Sequence, residues 1–538
     1  MIQVIAGIVL LIIVCMVVIA IAFKAQQSIQ LSRHKSMLEY GRPAQLLQDA
    51  HDLHQFGFAQ QLRRRWGGLS SFGLSFNTAA LIGSAAVLFG IAIGEGGASV
   101  IGFGLPIIAL FGLAVSASLA ELASAVPTTG GVYHAASALG GRKWGWRAGY
   151  FQAAGHLAIL ALLNCACAAL IDRLFSDKFA YQATDFTFWF TVIVLTLAQG
   201  ALNYWGKPLL GSLQSIGVVL QAGIVLIMLA GLLWLFWPGA YSPALLYQFQ
   251  NAEWNGTVTG GAFISGTMLL LKLFVGMDGA SHGAEETIDP RIRVPWAIYL
   301  STAYTFVFGF VLLAFSLLTT AGSVETGGLG LFLAAAQTGA GGSAVILLLV
   351  VGSLWGSGLH TLTISSRILF SLAREKALPL HKKWSAVSMK QQAPYNAIWL
   401  GAIASLMLLG FMFIFSRDQM ILVLLSFAII SLHISYVIPI VLKLRRGASA
   451  GIWRFAPWRL GAWSIPINWL AVGWLTVSSC LAGVYIQYWG AGAVAVTALL
   501  IFLLELRNRK RHALRLQSSG IKSQKEIYRL ERKFPLND

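Results

Sequence analysis

Ser75-Phe-Asn-Thr-Ala-Ala-Leu-Ile-Gly-Ser-Ala-Ala-Val-Leu-Phe89 and Leu271-Lys-Leu-Phe-Val-Gly-Met-Asp-Gly-Ala-Ser-His282 are apolar stretches of membrane-helix character, each interrupted near its middle. The first carries Gly83 and Ser84 at mid-stretch; the second sets Gly276 and Gly279 around Asp278. Where a membrane helix unwinds, the freed N–H groups attract a carboxylate and the freed carbonyls attract an ammonium or a cation. One interrupted span is explained by close helix packing on small residues. Two, in matching positions of two successive five-span units, point to a transporter's binding site.

The rest of the chain supports a membrane setting. Of its 538 residues, 57% are hydrophobic and 11% charged, with a mean hydropathy of +0.72; soluble domains carry about 25% charged residues. Thirteen apolar runs recur, near 4–23, 69–93, 99–124, 146–171, 185–204, 212–236, 262–283, 296–320, 343–371, 396–416, 418–442, 466–487 and 489–506. Each suffices to cross a hydrocarbon core of roughly 30 Å as a helix, and none alternates as a barrel strand would. The four cysteines, Cys15, Cys165, Cys167 and Cys480, fall in these runs and read as buried, reduced and inert.

The net charge of +18 is an orientation device and not a nucleic-acid footprint. With residue 65 placed in the cytoplasm, inner segments hold 33 of the 38 Lys and Arg. Outer segments hold Arg173, Lys178 and Arg417, and Lys272 and Arg367 lie within spans. That asymmetry sets the topology. Residues 1–23 lack a basic n-region and a small-residue cleavage site, so they read as an uncleaved anchor with its N-terminus outside. The expected organisation is an extra anchor at 1–23 offering a surface for a partner, a cytoplasmic linker at 24–65, a twelve-span core at 66–506 and a basic cytoplasmic tail at 507–538. In the linker, His51, Asp52 and His54 read as part of a solvated or interfacial segment and not as a metal site.

Motifs along the core carry a family resemblance. Gly67-Gly-Leu-Ser-Ser-Phe-Gly-Leu-Ser-Phe76 and Ala120-Glu-Leu-Ala-Ser-Ala-Val-Pro-Thr-Thr-Gly-Gly-Val-Tyr133 come first. Val275-Gly-Met-Asp-Gly-Ala-Ser-His-Gly-Ala-Glu-Glu-Thr287 follows, then Ser365-Ser-Arg-Ile-Leu-Phe-Ser-Leu-Ala-Arg-Glu375 and Pro394-Tyr-Asn-Ala397. In this order they resemble the amino acid–polyamine–organocation superfamily, and most nearly its amino acid/choline branch. The resemblance implies an all-α membrane fold of the LeuT type: two inverted five-helix repeats, two further helices, and here one extra N-terminal helix. It implies a secondary transporter of amino acids or small amines, not an enzyme, working by alternating access in an inner or plasma membrane with its C-terminus in the cytoplasm. By position, Ile82, Gly83, Ser84 and Ala85 would offer backbone donors to a substrate carboxylate. Carbonyls near Ala80, Phe274, Val275 and Gly276 would receive the amino group. Ser365 and Ser366 stand where sodium-coupled relatives place hydroxyl ligands, a candidate ion site, though such serines more often bond their own helix.

Two departures bear on coupling. Lys272 stands where relatives often carry an aromatic gate, and Gln221 where some carry a lysine in place of sodium. Lys272 either faces the cavity, able to pair with Asp278 or with an acidic substrate group, or snorkels outward. Asp278, costly at mid-membrane unless protonated or paired, is the expected residue for proton coupling or pH sensing, the other reading being a structural carboxylate that caps freed N–H groups, and no other cofactor is expected. Glu285 and Glu286, near Arg291 and Arg293, read either as an inner gate or as a solvated helix-end cluster, with Arg367 snorkelling or paired to a carboxylate. His156, His282 and His433 read as bonded core residues. Competing readings are a choline or quaternary-amine carrier, which would want an aromatic cage, and a non-transporting sensor or scaffold.

Overall fold

The computed structural model describes residues 1–33, 42–179, 182–205, 207–236, 242–250, 257–319, 342–389, 392–446, 456–512 and 524–532. The anchor helix α1 (Ile2–Arg33) and the linker helix α2 (Arg42–His54) precede the core. The first core unit comprises α3 (Gly68–Ala79), α4 (Leu81–Gly96), α5 (Leu105–Ala125), a short helix α6 (Val132–Gly140), α7 (Arg142–Phe179), α8 (Asp185–Trp205) and α9 (Lys207–Phe236). The second comprises α10 (Gly260–Leu270), α11 (Gly279–His282), α12 (Pro290–Thr319), α13 (Gly342–Arg374), α14 (Tyr395–Phe415) and α15 (Met420–Arg446). Helices α16 (Ser464–Leu481), α17 (Tyr488–His512) and α18 (Gln524–Glu531) close the chain.

Thirteen stretches among the described residues are long and apolar enough to cross a membrane, as the hydropathy pattern predicts. They are helices because lipid offers backbone groups no partners, and each span must satisfy its own. The units are arranged as an inverted pair requires. Their second spans pack on each other, α5 on α12, and so do their third spans, α7 on α13. Helix α15 lies along α7, while α8, α9, α14 and α17 present much apolar surface outward, as lipid-facing helices do. Helix α1 is longer than its apolar run. It rests on α5 with Tyr299 Oη donating to Val18 O at 2.9 Å and Ser28 Oγ donating to Pro457 O at 2.9 Å. Cys165 and Cys167 are buried as expected, but Cys15 and Cys480 are on outward faces.

Close approach of α3 to α9 positions the site. A Cβ at Gly73 would stand 2.5 Å from the carbonyl oxygen of Gln214, and backbone yields far less than a side-chain tip. Gly73→Val is therefore expected to separate the two helices at a cost of about 1–3 kcal/mol. The check is a thermal unfolding midpoint in detergent, which should fall by several degrees; an unchanged midpoint would refute the contact.

Candidate functional site

The first interruption falls at Ala80, which adopts a left-handed conformation (φ 51°, ψ 49°) and serves as both the last cap of α3 and the first cap of α4. This is one turn earlier than Ile82–Ala85, which open α4. A non-glycine residue in this region costs about 1–2 kcal/mol, strain that persists only where surroundings impose it. The Ala80 carbonyl is taken by Ser84 N–H at 2.6 Å, so neither group is open to a ligand, and Ala85 lies beyond the first orphan donors of α4. Of the expected carboxylate donors, Ile82 and Gly83 keep first-turn positions. Sequence reasoning missed Leu81, whose N–H donates to Gln221 Oε1 at 3.1 Å. Gln221 Nε2 in turn donates to Asn77 Oδ1 at 3.1 Å, so the side chain standing in the lysine position of some relatives caps the first break.

The second interruption is where the sequence puts it. Helix α10 tightens into a 3-10 turn over Leu271–Phe274, the chain leaves helical geometry through Val275–Asp278, and α11 follows. Gly276 has φ +85°, which favours glycine, and Thr78 lies where its Cβ would be.

The two breaks meet. Lys272 is buried (1% exposed), and its Nζ donates to Thr78 O at 3.2 Å and Ala79 O at 3.3 Å, the freed carbonyls at the end of α3. It neither snorkels nor pairs with Asp278. Ser75 Oγ accepts from Ala280 N at 2.9 Å. A small cavity beside this contact is lined by Ser75, Ala79, Leu273, Phe274, Val275 and Met277, with Ser301, Thr302 and Thr305 of α12 adding hydroxyls.

Asp278, 0% exposed, is surrounded by groups of which only His282, four residues on, is its neighbour in the sequence. Gln152 Nε2 donates to its Oδ2 at 2.6 Å, His282 Nε2 lies 3.0 Å from the same oxygen, and Tyr436 Oη donates to Oδ1. His156 Nε2 stands 3.5 Å from Oδ1. Thus two histidines read as bonded core residues border the carboxylate, whereas His433 does lie among Ser478 and Ser479. Two spacings of four residues were their legible signals: Asp278 to His282, and Gln152 to His156 on α7. Atoms of His156, Asp278 and His282 fall within 4.8 Å of one another. N–H and O–H donors already point at both carboxylate oxygens, a setting built for an anion, and we assign no metal there.

On the side of the linker the expected gate has different partners. Arg374 binds Glu285 through two hydrogen bonds of 2.7 and 2.9 Å, and Arg367 Nε binds Glu286 at 2.9 Å in full burial. Arg291 instead reaches back to Asp52 of α2 at 2.9 Å, so it is no partner of Glu285 or Glu286. Arg374 itself was overlooked because it closes a helix, where a basic residue is ordinary. The linker end seals the same face. Trp66 exchanges hydrogen bonds with Glu286 O (2.9 Å) and Ile288 N (3.0 Å), and Arg64 donates to Ala284 O and Thr287 O. His54 Nε2 lies 2.6 Å from Glu531 Oε1 of α18, so the linker is docked and not merely solvated. Ser365 and Ser366 donate to Thr361 O and Thr363 O of their own helix (2.9 and 2.7 Å), and Ser366 Oγ accepts from Arg367 Nη1 at 2.9 Å.

Comparison with known proteins agrees with this architecture. The amino acid permease family model matches residues 67–504. Relatives include an amino-acid permease BAT1 homolog of Oryza sativa subsp. japonica, 23% identical over 425 residues that cover 73% of this chain and 79% of that protein. Amino-acid permease BAT1 of Arabidopsis thaliana is 24% identical, covering 73% and 80%. Amino-acid permease 2 of Neurospora crassa is 26% identical, covering 73% and 75%.

Two outcomes follow for the inner face. Removing one partner of a buried ion pair costs about 3–5 kcal/mol. Glu285→Gln should therefore lower the unfolding midpoint sharply, and Glu285→Gln with Arg374→Gln should recover part of the loss; equal or additive losses would argue against the pair. Burial pushes the Asp49 carboxyl of α2 up from 3.8 to about 6, against the pull of Arg64. The folded chain then holds this proton more tightly than the unfolded chain, so stability falls as pH rises from 3.8 through about 6. Asp49→Asn should raise the midpoint above about pH 7 and leave it unchanged below about pH 4; equal effects at both ends would contradict the assignment.

Proposed function

The chain belongs to the amino acid permease family, and on that premise we propose that it carries small amino acids or related amines by alternating access, coupled to protons and not to sodium. The observation that carries this reading is the meeting of the two interrupted spans, with the Lys272 ammonium of one on the Thr78 and Ala79 carbonyls of the other. An unwound pair of helices sealed on one side by the Glu285–Arg374 and Glu286–Arg367 pairs is a site with a removable inner gate.

In this reading the Ile82 and Gly83 N–H groups at the start of α4 receive the substrate carboxylate. The Phe274 and Val275 carbonyls, beside the bend at Gly276, receive the amino group. Lys272 contributes in two ways. Its charge disfavours substrates that are purely cationic, choline among them, by like-charge repulsion. Its ammonium also fills the carbonyl cradle at which a sodium ion would sit, which supports proton coupling, and Asp278 is the anionic centre on which that coupling depends. The protein then resides in an inner or plasma membrane, its N-terminus outside and its basic tail in the cytoplasm, where the tail rests near anionic headgroups.

Reconstituted protein should accumulate radiolabelled amino acids when the vesicle lumen is alkaline, and equally well with sodium replaced by potassium. Lys272→Met, which leaves the Thr78 and Ala79 carbonyls without their ammonium, is expected to lower uptake of neutral and acidic amino acids alike by at least tenfold. Asp278→Asn should abolish stimulation by the pH gradient. Sodium-dependent uptake, or a wild-type pH profile in Asp278→Asn, would refute the coupling proposed here.

A further inference from the structure

The hydrogen bonds around His282 leave one proton to be accounted for. His282 Nδ1 lies 2.9 Å from the carbonyl oxygen of Thr129, which can only accept, so Nδ1 carries hydrogen. In neutral imidazole, Nε2 then presents a lone pair, and it faces Asp278 Oδ2 at 3.0 Å. A lone pair against a buried carboxylate oxygen at that distance is repulsive. A proton on Nε2 turns the same contact into a charge-assisted hydrogen bond. The other donors to the carboxylate are already assigned: Tyr436 Oη to Oδ1 and Gln152 Nε2 to Oδ2. His156 repeats the pattern at longer range. Its Nδ1 donates to Gln152 O at 3.1 Å, and its Nε2 makes no hydrogen bond.

We propose that the transported proton is held by His282 as an imidazolium bonded to an ionised Asp278, and that Thr129 reports its presence to the inner gate. This rests on the proton-coupled reading above and names its carrier: Asp278 is the fixed anion, His282 the ring whose Nε2 holds the proton against it. On loading, the Nε2 lone pair takes a proton from water on one side of the membrane. On release that N–H bond breaks, its electron pair stays on nitrogen, and the proton leaves to water on the other side. The unprotonated pair has Gln152 as its remaining shared donor, 2.6 Å from Oδ2 and 3.0 Å from His282 Nε2, so the contact loosens.

The route to the gate is one residue long. Thr129, whose carbonyl holds His282, donates through its N–H (3.2 Å) and Oγ1 (2.8 Å) to Glu285 Oε1, the carboxylate that binds Arg374. A ring that shifts on losing its proton therefore pulls on the residue that orients the gate carboxylate. The charged and titratable groups around His282 are few. Asp278 is on its own segment, His156 is on α7, Tyr436 on α15 and His134 on α6. From α13, Arg367 and Arg374 are engaged by Glu286 and Glu285; from α3 comes the Ser75 hydroxyl. On α12, Arg291 is turned to Asp52 and Tyr299 to Val18 O. Lys272 is held by the Thr78 and Ala79 carbonyls.

The test is nitrogen NMR of protein labelled with 15N-histidine in lipid nanodiscs, titrated between about pH 5 and 8. One imidazole should carry protons on both nitrogens at the acidic end, vanish from the spectrum of His282→Gln, and convert to a neutral Nδ1–H ring in Asp278→Asn. Asp278→Asn assigns the resonance by itself should His282→Gln not fold. A His282 ring that stays neutral across the range overturns the proposal. Uptake in vesicles separates the two readings. Wild-type transport indifferent to a pH gradient, together with an imidazolium at His282, refutes proton coupling while the proton site stands. Gradient-driven transport that persists in His282→Gln and is lost in Asp278→Asn refutes His282 as the carrier while proton coupling stands.

Discussion

The bond from Lys272 Nζ to the Thr78 and Ala79 carbonyls is the contact on which the centre of this protein depends. Inside a bilayer every backbone group must find a partner within the protein, so an unwound span is tolerated only where something else satisfies the groups it frees. Here each break serves the other. The second lends an ammonium to the carbonyls ending α3, and the first lends the Ser75 hydroxyl to the N–H of Ala280. Gln221 and Asn77 complete the set at the Leu81 N–H. Remove the reciprocity, and both segments would recover partners by winding into continuous helix, which has no site.

Charge follows the same economy. Lys272 is taken up by carbonyl dipoles, and Asp278 by a tyrosine, a glutamine amide and two imidazoles. Burying ions is costly unless geometry and hydrogen bonding are both good, and the two centres meet that condition separately, in neighbouring parts of one broken helix. The separation matters for selectivity. In the function proposed above, a cation fixed at the first break discourages cationic ligands and leaves the second centre to the proton.

The face beside the linker is closed by pairs that reach across elements and not along them. Glu285 and Glu286 follow α11, yet their arginines come from the far end of α13. The linker is laced to the same loop through Trp66 and Arg64, and α2 is tied to α12 by Asp52–Arg291 and to α18 by His54–Glu531. Both polar extensions of the chain thus bear on the segment that must move if the inner gate opens.

Hydropathy alone determined the thirteen spans, because lipid punishes any charge or unpaired backbone group in proportion to its depth, a local cost written residue by residue. The second break was legible for a related reason: a carboxylate such as Asp278, set between Gly276 and Gly279, is costly in an unbroken membrane helix. The first break was displaced by a turn in the sequence reading, since the glycine at 83 drew attention while Ala80, a residue that favours helix, took the left-handed conformation under tertiary constraint. Likewise Gln152, His156 and Tyr436 are unremarked on their own helices, and Arg374 is an ordinary helix-end cation. Their partners lie more than eighty residues away in the chain, and only the packing of α7, α13 and α15 around α11 decides that one carboxylate meets two imidazoles while another meets a guanidinium.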